Sequence, residues 1–322
     1  MADMENIRVH VRVRPLNETE LGRGDQSCLH IAEDSRTVHF VGVRDEVRSV
    51  AFDSAIAGSS QAQVFAITGT DRLLQDALDG YAVTIFAYGQ TGSGKTFTMT
   101  GPESLDHSGE KAPMPSEESA QGLIPRGVGA LFAHIESQQI AGQLPGGCSV
   151  RASYLELYNE TLNDLLNPES TNLQLRSNAK TGAFVESLLQ VECEGVSDAM
   201  MVFAEGTRNR KVGSHSLNKD SSRSHCMMTL HLSRRDALRQ GGRISFVDLA
   251  GSERLPESQS KGEMAKETGH INKSLFALGN VISALSDSRK RGGHIPFRDS
   301  KLTVSECSPR MPSNERDTHA PH

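Results

Sequence analysis

A glycine-rich stretch with a lysine and a hydroxyl carries the most specific chemistry in the sequence. It consists of Gly89, Gln90, Thr91, Gly92, Ser93, Gly94, Lys95 and Thr96, and it matches the spacing G-x-x-x-x-G-K-[ST]. In such a loop, consecutive backbone N–H groups wrap a phosphate chain, the lysine reaches the outer phosphates and the hydroxyl binds Mg²⁺. The stretch predicts a phosphate-binding loop, and a glycine-rich turn that matches by chance is the alternative.

Two later stretches have residues that could sense a bound phosphate. The second switch stretch, residues 248–253, follows an apolar run and begins with Asp248, where phosphate-loop enzymes hold Mg²⁺. Gly251 could place its N–H against a γ-phosphate, and that hydrogen bond would exist in only one nucleotide state. The first switch stretch, residues 218–225, combines closely spaced hydroxyls with Arg223, which could pair with Glu253. A polar hairpin loop is the alternative interpretation of the first switch stretch.

The segments around the glycine-rich stretch have the order that a phosphate-binding loop needs. Residues 82–88 are mostly apolar, with β-branched and aromatic members typical of a buried strand, and a helix would begin at Thr96. Residues 63–78 place apolar side chains near helical spacing, which predicts a preceding helix. This context favours a phosphate-binding loop over a chance match.

The periodicity of the remaining chain predicts an α/β domain. The expected elements are a strand at 7–15, a small meander within 22–60, an exposed insertion at 102–122, helices near 126–139 and 198–212, and strands at 149–158, 227–232 and 244–248. Their alternation predicts a central mixed, mostly parallel sheet covered by helices on both faces.

Composition limits the class of protein. The 322 residues, 36% of them hydrophobic, can bury the core of one large domain. No apolar run of about 18 residues and no signal-peptide pattern is present, which argues against a membrane span and favours the cytosol or nucleus. The net charge of −6 disfavours general nucleic-acid binding, and five scattered cysteines suggest neither a disulfide framework nor a zinc site.

Taken together and in order, the motifs resemble those of kinesin motor domains. The matching phrases are Arg12–Pro15, Phe86–Met99, Asn218–His225, Asp248–Arg254, Ile271–Leu275 and His294–Thr303. They lie within residues 6–303, and such a set is far more specific than a phosphate-binding loop alone. The resemblance implies a P-loop NTPase fold of the kinesin type, with residues 1–303 as the motor domain.

The resemblance also implies a site for ATP and Mg²⁺, with ATP hydrolysis driving movement on microtubules. The implied nucleotide contacts are Arg14 and Pro15 at the adenine, Gly89, Gln90, Thr91, Gly92, Ser93, Gly94, Lys95, Thr96 and Phe97 at the phosphates, and Ser221 in the closing first switch. The implied magnesium ligands are Thr96, Ser222 and Asp248. The implied catalytic residues are Lys95, Ser222, Arg223, Gly251 and Glu253. Glu253, paired with Arg223 when both switches close, would relay a proton from the attacking water.

Positive charge is concentrated in the region where the resemblance places the microtubule contact. From Arg254 to Lys301 there are nine basic and five acidic residues. The implied contacts with the acidic microtubule surface are Lys261, Lys266, Lys273, Lys290, Arg291, Arg298 and Lys301, and the implied location is the microtubule cytoskeleton of the cytoplasm. Apolar residues between Ile271 and Leu285 recur at intervals of three and four, so one helix face would be buried and the other could lie on tubulin. A solvated helix is the alternative.

Two segments depart from the family's pattern. Residues 255–262 lack a Thr-Gly-Ala-like phrase, which we interpret as subfamily variation. After Thr303 the family continues with a strand inside the main sheet and a final helix, whereas residues 304–322 contain three prolines and predict a disordered, non-homologous tail. We therefore expect the last strand and helix to be missing. A truncated, non-motile microtubule-binding remnant, or a non-folding product of an alternative or mispredicted transcript, is the alternative to an active motor; the sequence does not indicate oligomeric state.

Overall fold

A computed structural model describes most of the chain. The described residues are 7–42, 46–58, 60–102, 104–105, 111–112, 118–178, 182–216, 221–234, 241–253, 263–286 and 294–307. The strands are β1 (His10–Val13), β2 (Leu29–Ile31), β3 (Thr37–Val41), β4 (Val47–Ala51), β5 (Ser54–Ala57), β6 (Ala82–Ala87), β7 (Ser104–Leu105), β8 (Lys111–Ala112), β9 (Cys148–Tyr158), β10 (Thr161–Asp164), β11 (Leu175–Asn178), β12 (Gly182–Val185), β13 (Val191–Cys193), β14 (His225–Arg234) and β15 (Arg243–Asp248). The helices are α1 (Glu18–Gly22), α2 (Gln61–Ile67), α3 (Thr70–Leu78), α4 (Lys95–Thr100), α5 (Leu123–Ile140), α6 (Val196–Ser216), α7 (Glu263–Ser286) and α8 (Lys301–Cys307).

The central sheet is mixed, as predicted. Its strand order is β10-β9-β14-β15-β6, and β13 also pairs with β9. The prediction of a mostly parallel sheet was wrong for the described pairs, because β15 and β6 are parallel whereas the pairs β9–β10, β9–β13, β9–β14 and β14–β15 are antiparallel. The turn at Asn159 and Glu160 shows the reason, since so short a connection can only reverse the chain into a hairpin.

Four smaller sheets lie outside this path, and two of them lie in the N-terminal part of the chain. Strands β2, β3 and β4 form the antiparallel meander that the sequence predicts within residues 22–60, and β1 pairs in parallel with β5. Arg12 of β1 donates hydrogen bonds of 2.9 Å to both Gln61 and Thr98, and it lies 5.2 Å from the centre of the Phe97 ring. These contacts attach β1 to α2, which precedes β6 in the chain, and to α4, which follows it.

Helices cover both faces of the central sheet, as predicted. On one side, called the α6 face, helices α3, α5 and α6 pack on side chains that include Tyr154, Met228 and Phe246. On the other side, called the α7 face, helices α7 and α8 pack on a smaller apolar cluster that includes Met227 and Val247. The side chains of Met227 and Met228 enter opposite clusters because successive residues of a strand point to opposite faces.

Several element boundaries differ from the sequence predictions. The helix predicted over residues 63–78 is divided into α2 and α3, because Gly69 adopts a left-handed φ of 65° between them. Helices α5 and α6 are longer than predicted at both ends. Helix α8 continues to Cys307, so residues 304–307 are helical rather than part of a tail. Leu302 and Thr303 anchor it, since both are fully buried and the Thr303 hydroxyl donates to the carbonyl of Phe297 at 2.7 Å.

Several predictions concern residues outside the described ranges. Most of the predicted insertion at 102–122 lies there, as do residues 255–262 and the predicted tail from residue 308 onward. Among the described strands, β6 pairs only with β15 and therefore lies at the end of the sheet path.

Candidate functional site

The glycine-rich stretch forms a loop between β6 and α4, in the strand–loop–helix order predicted. Gly92 and Gly94 have φ values of 76° and 95°, a conformation that residues with a Cβ rarely adopt. Gly94 is the residue that caps the N-terminus of α4, and Lys95 begins that helix. The Lys95 ammonium donates to the carbonyl of Gln90 at 3.0 Å, so it lies over the loop that it would share with a phosphate.

Arg14 fixes one side of this loop. Its Nε donates to the carbonyl of Gly92 at 2.7 Å, and its two terminal nitrogens bind the Glu20 carboxylate at 2.7 and 2.6 Å. Glu20 belongs to α1, whose N-terminus is closed by a capping box with Asn17. Arg14 and the exposed Pro15 therefore lie beside the loop, and their contact with an adenine ring stays a prediction.

A buried polar cluster joins the loop to the second switch stretch. The Thr96 hydroxyl donates to Oδ2 of Asp248 at 2.7 Å, and Arg210 Nη1 donates to the same oxygen at 3.0 Å. The side chains of Arg210 and Asp248 are only 11% and 6% exposed. Arg210 also donates to the carbonyl of Ser224 at 3.4 Å, which brings the end of the first switch stretch into the cluster. Arg210 is not predicted from the sequence, because nothing in its helical, charged neighbourhood distinguishes it from a surface arginine.

The cluster has an oxygen that fits a metal site. Oδ1 of Asp248 is buried and has no hydrogen-bond partner among the described groups. A buried acceptor without a partner costs about 1–3 kcal/mol, so a ligand at this oxygen would be favourable. Carboxylate and hydroxyl oxygens are the donors that Mg²⁺ prefers, and Thr96 supplies a hydroxyl next to the carboxylate. The residues present therefore fit the predicted Mg²⁺.

The second switch stretch lies directly on the loop. Gly251 N–H donates to the carbonyl of Ser222 at 2.7 Å, and Ser252 N–H donates to the carbonyl of Gly89 at 3.1 Å. The Glu253 carboxylate accepts a hydrogen bond of 2.8 Å from the Thr91 N–H and a second one from the Thr91 hydroxyl. In this arrangement Glu253 contacts Thr91 and not Arg223. The Arg223–Glu253 pair, predicted for closed switches, stays a prediction.

Burial and neighbouring charges set the ionisation of Lys95 and Glu253. Burial lowers the pKa of the Lys95 ammonium, and the negative charges of Asp248 and Glu253 oppose that shift. Burial alone would raise the pKa of Glu253, but the hydrogen bonds from Thr91 outweigh it and leave that pKa below its usual value. Glu253 is therefore ionised at neutral pH, which is the form that a proton acceptor needs.

His225, at the start of β14, lies between the second switch stretch and α7. Its Nδ1 accepts a hydrogen bond of 2.9 Å from the Ala250 N–H, and its Nε2 lies 2.8 Å from the Ser274 hydroxyl. Because a backbone N–H can only donate, Nδ1 is the acceptor and Nε2 carries the proton of the neutral ring. Burial, with the positive charges of Arg210 and Lys95, lowers the pKa of His225 to about 3. The sequence placed His225 and Ser274 in separate motifs and gave neither a role.

The predicted microtubule contacts are only partly described. Lys273 is exposed on α7, Arg298 is exposed in a 3₁₀ turn at Phe297–Asp299, and Lys301 is partly exposed at the start of α8. Lys261, Lys290 and Arg291 and the side chain of Lys266 lie outside the described residues.

Two further features of the described residues concern metal clusters and membrane-spanning helices. These residues contain no group of three or more His, Cys, Asp and Glu side chains that could hold a metal ion, so a metal at this site would depend on hydroxyls and a single carboxylate. They also contain no helix both long enough and apolar enough to cross a membrane.

Comparison with known proteins gives one consistent family. The family model for the kinesin motor domain matches residues 12–305. Kinesin-like protein KIF12 of Mus musculus is 40% identical over 92% of this chain and 46% of its own length, and kinesin-like protein KIN-12E of Oryza sativa subsp. japonica is 39% identical over 92% of this chain and 16% of its own. The chain thus spans less than half of these relatives. A solved structure described as a fast kinesin superposes with a TM-score of 0.76 and 34% identity, covering 93% of this chain and 80% of that one.

Proposed function

The chain belongs to the kinesin motor domain family, and on this premise we propose that it is a microtubule-stimulated ATPase that couples ATP hydrolysis to microtubule-based movement. The observation that carries the proposal is the 2.7 Å contact between Thr96 and Asp248, which joins the phosphate-binding loop to the second switch stretch across 152 positions of sequence. A loop that held phosphate only for structural reasons would not need an acidic switch residue at its hydroxyl.

The loop and its neighbours would bind the nucleotide. Residues 89–97 would hold the phosphates, with the Lys95 charge against the outer ones, Arg14 and Pro15 would flank the adenine, and Ser221 would help to close the first switch stretch. Thr96, Ser222 and Asp248 would hold Mg²⁺, which when bound would screen the charge that develops on the phosphate oxygens. The unpartnered Asp248 Oδ1 supports this assignment.

Hydrolysis would require Glu253 to exchange partners. In this structure its carboxylate accepts hydrogen bonds from the N–H and hydroxyl of Thr91. The same two donors could bind a phosphate oxygen. Repulsion between a bound triphosphate and the ionised carboxylate would favour release of Glu253. Once released, Glu253 would pair with Arg223 and accept the proton of the attacking water.

Gly251 would undergo a parallel exchange. Its N–H donates to Ser222 in this arrangement and would turn to the γ-phosphate when ATP is bound. Loss of the γ-phosphate would restore the contact with Ser222. The two switch stretches would therefore be joined by one hydrogen bond in one state and by the phosphate in the other.

Microtubule binding would use the basic side chains at and around α7. Lys273, Arg298 and Lys301 are available at the surface among the described residues, and Lys261, Lys266, Lys290 and Arg291 complete the proposed set. Opposite charge would raise the rate of encounter with the acidic polymer, and salt would weaken it. The chain would accordingly act on the microtubule cytoskeleton of the cytoplasm.

The test is the steady-state ATPase rate of the purified chain with and without microtubules. We expect microtubules to stimulate the wild type, and Glu253→Ala to reduce the stimulated rate by about 100-fold or more, because it removes the proton acceptor. Glu169→Ala, at an exposed turn position, is the matched control and should keep the wild-type rate. A wild type that microtubules do not stimulate, or a Glu253→Ala variant with the control's rate, would overturn the proposal.

A further inference from the structure

We propose that His225 is a positioning residue that couples helix α7 to the second switch stretch through Ser274 and Ala250. The inference depends on the proposed function, in which α7 contacts the microtubule and the second switch stretch responds to the nucleotide. It assigns to one side chain the physical link between these two events.

The link is short and buried. His225 and Ser274 are each only 2% exposed, and Ala250 is fully buried. The 2.8 Å contact to Ser274 and the 2.9 Å contact to Ala250 use both ring nitrogens. Each contact crosses between separate elements, because Ser274 belongs to α7, His225 to β14 and Ala250 to the second switch stretch. Water has little access, so a broken contact would leave a buried polar group without a partner, which is unfavourable.

The direction of each hydrogen bond makes the two contacts interdependent. The Ala250 N–H requires an acceptor, so the proton of the neutral ring lies on Nε2 and is donated to the Ser274 oxygen. Movement of α7 that withdraws Ser274 leaves the Nε2 proton unsatisfied, and rotation of the ring to follow it removes the acceptor from Ala250. The ring can therefore satisfy both neighbours only in one relative position of α7 and the second switch stretch.

The second switch stretch connects the position of α7 to the residues proposed to contact the γ-phosphate. Ala250 is adjacent to Gly251, whose N–H donates to Ser222, and Ser222 is three residues before His225 in the same chain segment. Both switch stretches therefore converge on one ring. The element with two arrangements is the Gly251 N–H, which has Ser222 as its acceptor in this structure and would have phosphate in the other.

A buried histidine that serves only packing is the competing explanation. Such a residue would change the stability of the chain when its partner is removed, but not the ratio of nucleotide release rates with and without microtubules. That ratio is therefore the readout that separates a coupling role from a structural one.

The experiment compares Ser274→Ala with the wild type in release of a fluorescent ADP analogue, with and without microtubules. We expect release without microtubules to stay within about twofold, and the acceleration by microtubules to fall by about tenfold, a typical size for coupling between sites. Ser274→Thr keeps the hydroxyl and should recover most of the acceleration. Ser286→Ala is the matched control, since Ser286 is exposed on the same helix and bonds only to that helix's own carbonyls.

A second measurement does not depend on microtubules. Hydrogen exchange of the Ala250 amide should accelerate in Ser274→Ala, because the ring loses the contact that fixes it, and should not change in Ser286→Ala. Unchanged exchange, or full microtubule acceleration in Ser274→Ala, would overturn the inference. A wild type that shows no microtubule acceleration at all would instead contradict the proposed function.

Discussion

The two faces of the central sheet differ in the balance of apolar and hydrogen-bonded contacts. On the α6 face, the ring of Phe203 stacks on that of Tyr154 with centroids 6.3 Å apart, and Gly206 lies close against the same tyrosine. The α7 face has a smaller apolar cluster and, in addition, hydrogen-bonded pairs that include His225–Ser274 and Thr229–Ser245. Close apolar packing resists any shift, whereas a hydrogen bond can exchange one partner for another. The difference indicates that the α6 face is the fixed support and the α7 face the part that can rearrange.

The largest expected effect is the loss of a core side chain from the α6 face. Phe203 is fully buried, so Phe203→Ala should lower the free energy of unfolding by about 3–5 kcal/mol. Phe276→Ala on α7 is the matched control, because Phe276 is 71% exposed and should change stability by less than about 0.5 kcal/mol. Urea unfolding measures both. Equal losses of unfolding free energy in the two variants would contradict the description of the α6 face as the fixed support.

The next effect concerns Arg210, which reaches from α6 to Asp248 in the proposed nucleotide site. Arg210→Met removes the cation from a buried pair and leaves the Asp248 carboxylate uncompensated, which should cost about 3 kcal/mol. Arg208→Met, two residues earlier, is the control. The side chain of Arg208 is 67% exposed and that of its partner Glu205 is 43% exposed, so a loss of about 0.5 kcal/mol or less is expected.

A ligand measurement sharpens this prediction. If Asp248 helps to hold Mg²⁺, saturating Mg²⁺ and ADP should reduce the stability difference between Arg210→Met and the wild type. The reason is that the metal compensates the charge of the same carboxylate. Thermal unfolding with and without Mg²⁺ would show it. An Arg210→Met variant as stable as the Arg208→Met control would refute the assignment of a buried ion pair.

A pair of glycines tests the close approach of α6. A Cβ at Gly206 would collide with the Tyr154 ring, so Gly206→Ala should destabilise the fold by about 1–3 kcal/mol despite the better helix propensity of alanine. Gly279 is exposed on α7 with no atom near the added Cβ, and Gly279→Ala should stabilise by up to about 1 kcal/mol. Chemical unfolding should therefore give changes in stability of opposite sign for the two variants. Changes of the same sign would contradict the close approach of α6 to Tyr154.

The smallest expected effect is a pH dependence confined to the α7 face. His225 has a pKa of about 3 in the folded chain against an ordinary 6.5, so the unfolded chain takes up a proton first as the pH falls. The stability given by the neutral ring is complete above pH 6.5 and is lost progressively towards pH 3. From pH 6.5 to 5.5 the loss should be about 1 kcal/mol.

The variant His225→Asn isolates this contribution, because all other groups titrate in both proteins. Its stability deficit relative to the wild type should shrink by that amount over the same pH interval. For Phe203→Ala, on the α6 face, the curve of stability against pH should instead run parallel to that of the wild type. Parallel curves for His225→Asn would contradict the assignment of a buried neutral imidazole.

The sequence predicted those parts of the fold and site whose constraints are local. The phosphate-binding loop follows from Gly92 and Gly94, because glycine is the residue type that tolerates the left-handed backbone of the loop. Strands β9 and β14 follow from their apolar periodicity. The boundary at Thr303 was placed too early, because Ser305 looks like a tail residue until the fold buries it. The mostly parallel sheet was a wrong prediction, since strand direction depends on which strands become neighbours.

By itself, the sequence determined that the chain has a phosphate-binding loop, two switch stretches and amphipathic elements enough for an α/β domain. Only the tertiary structure decided that Arg210 is the cation beside Asp248, 38 positions away, and that His225 joins Ser274, 49 positions away, to Ala250. Such pairs leave no periodic signal, because they depend on which buried polar atoms the packing of the sheet and helices brings within hydrogen-bond distance.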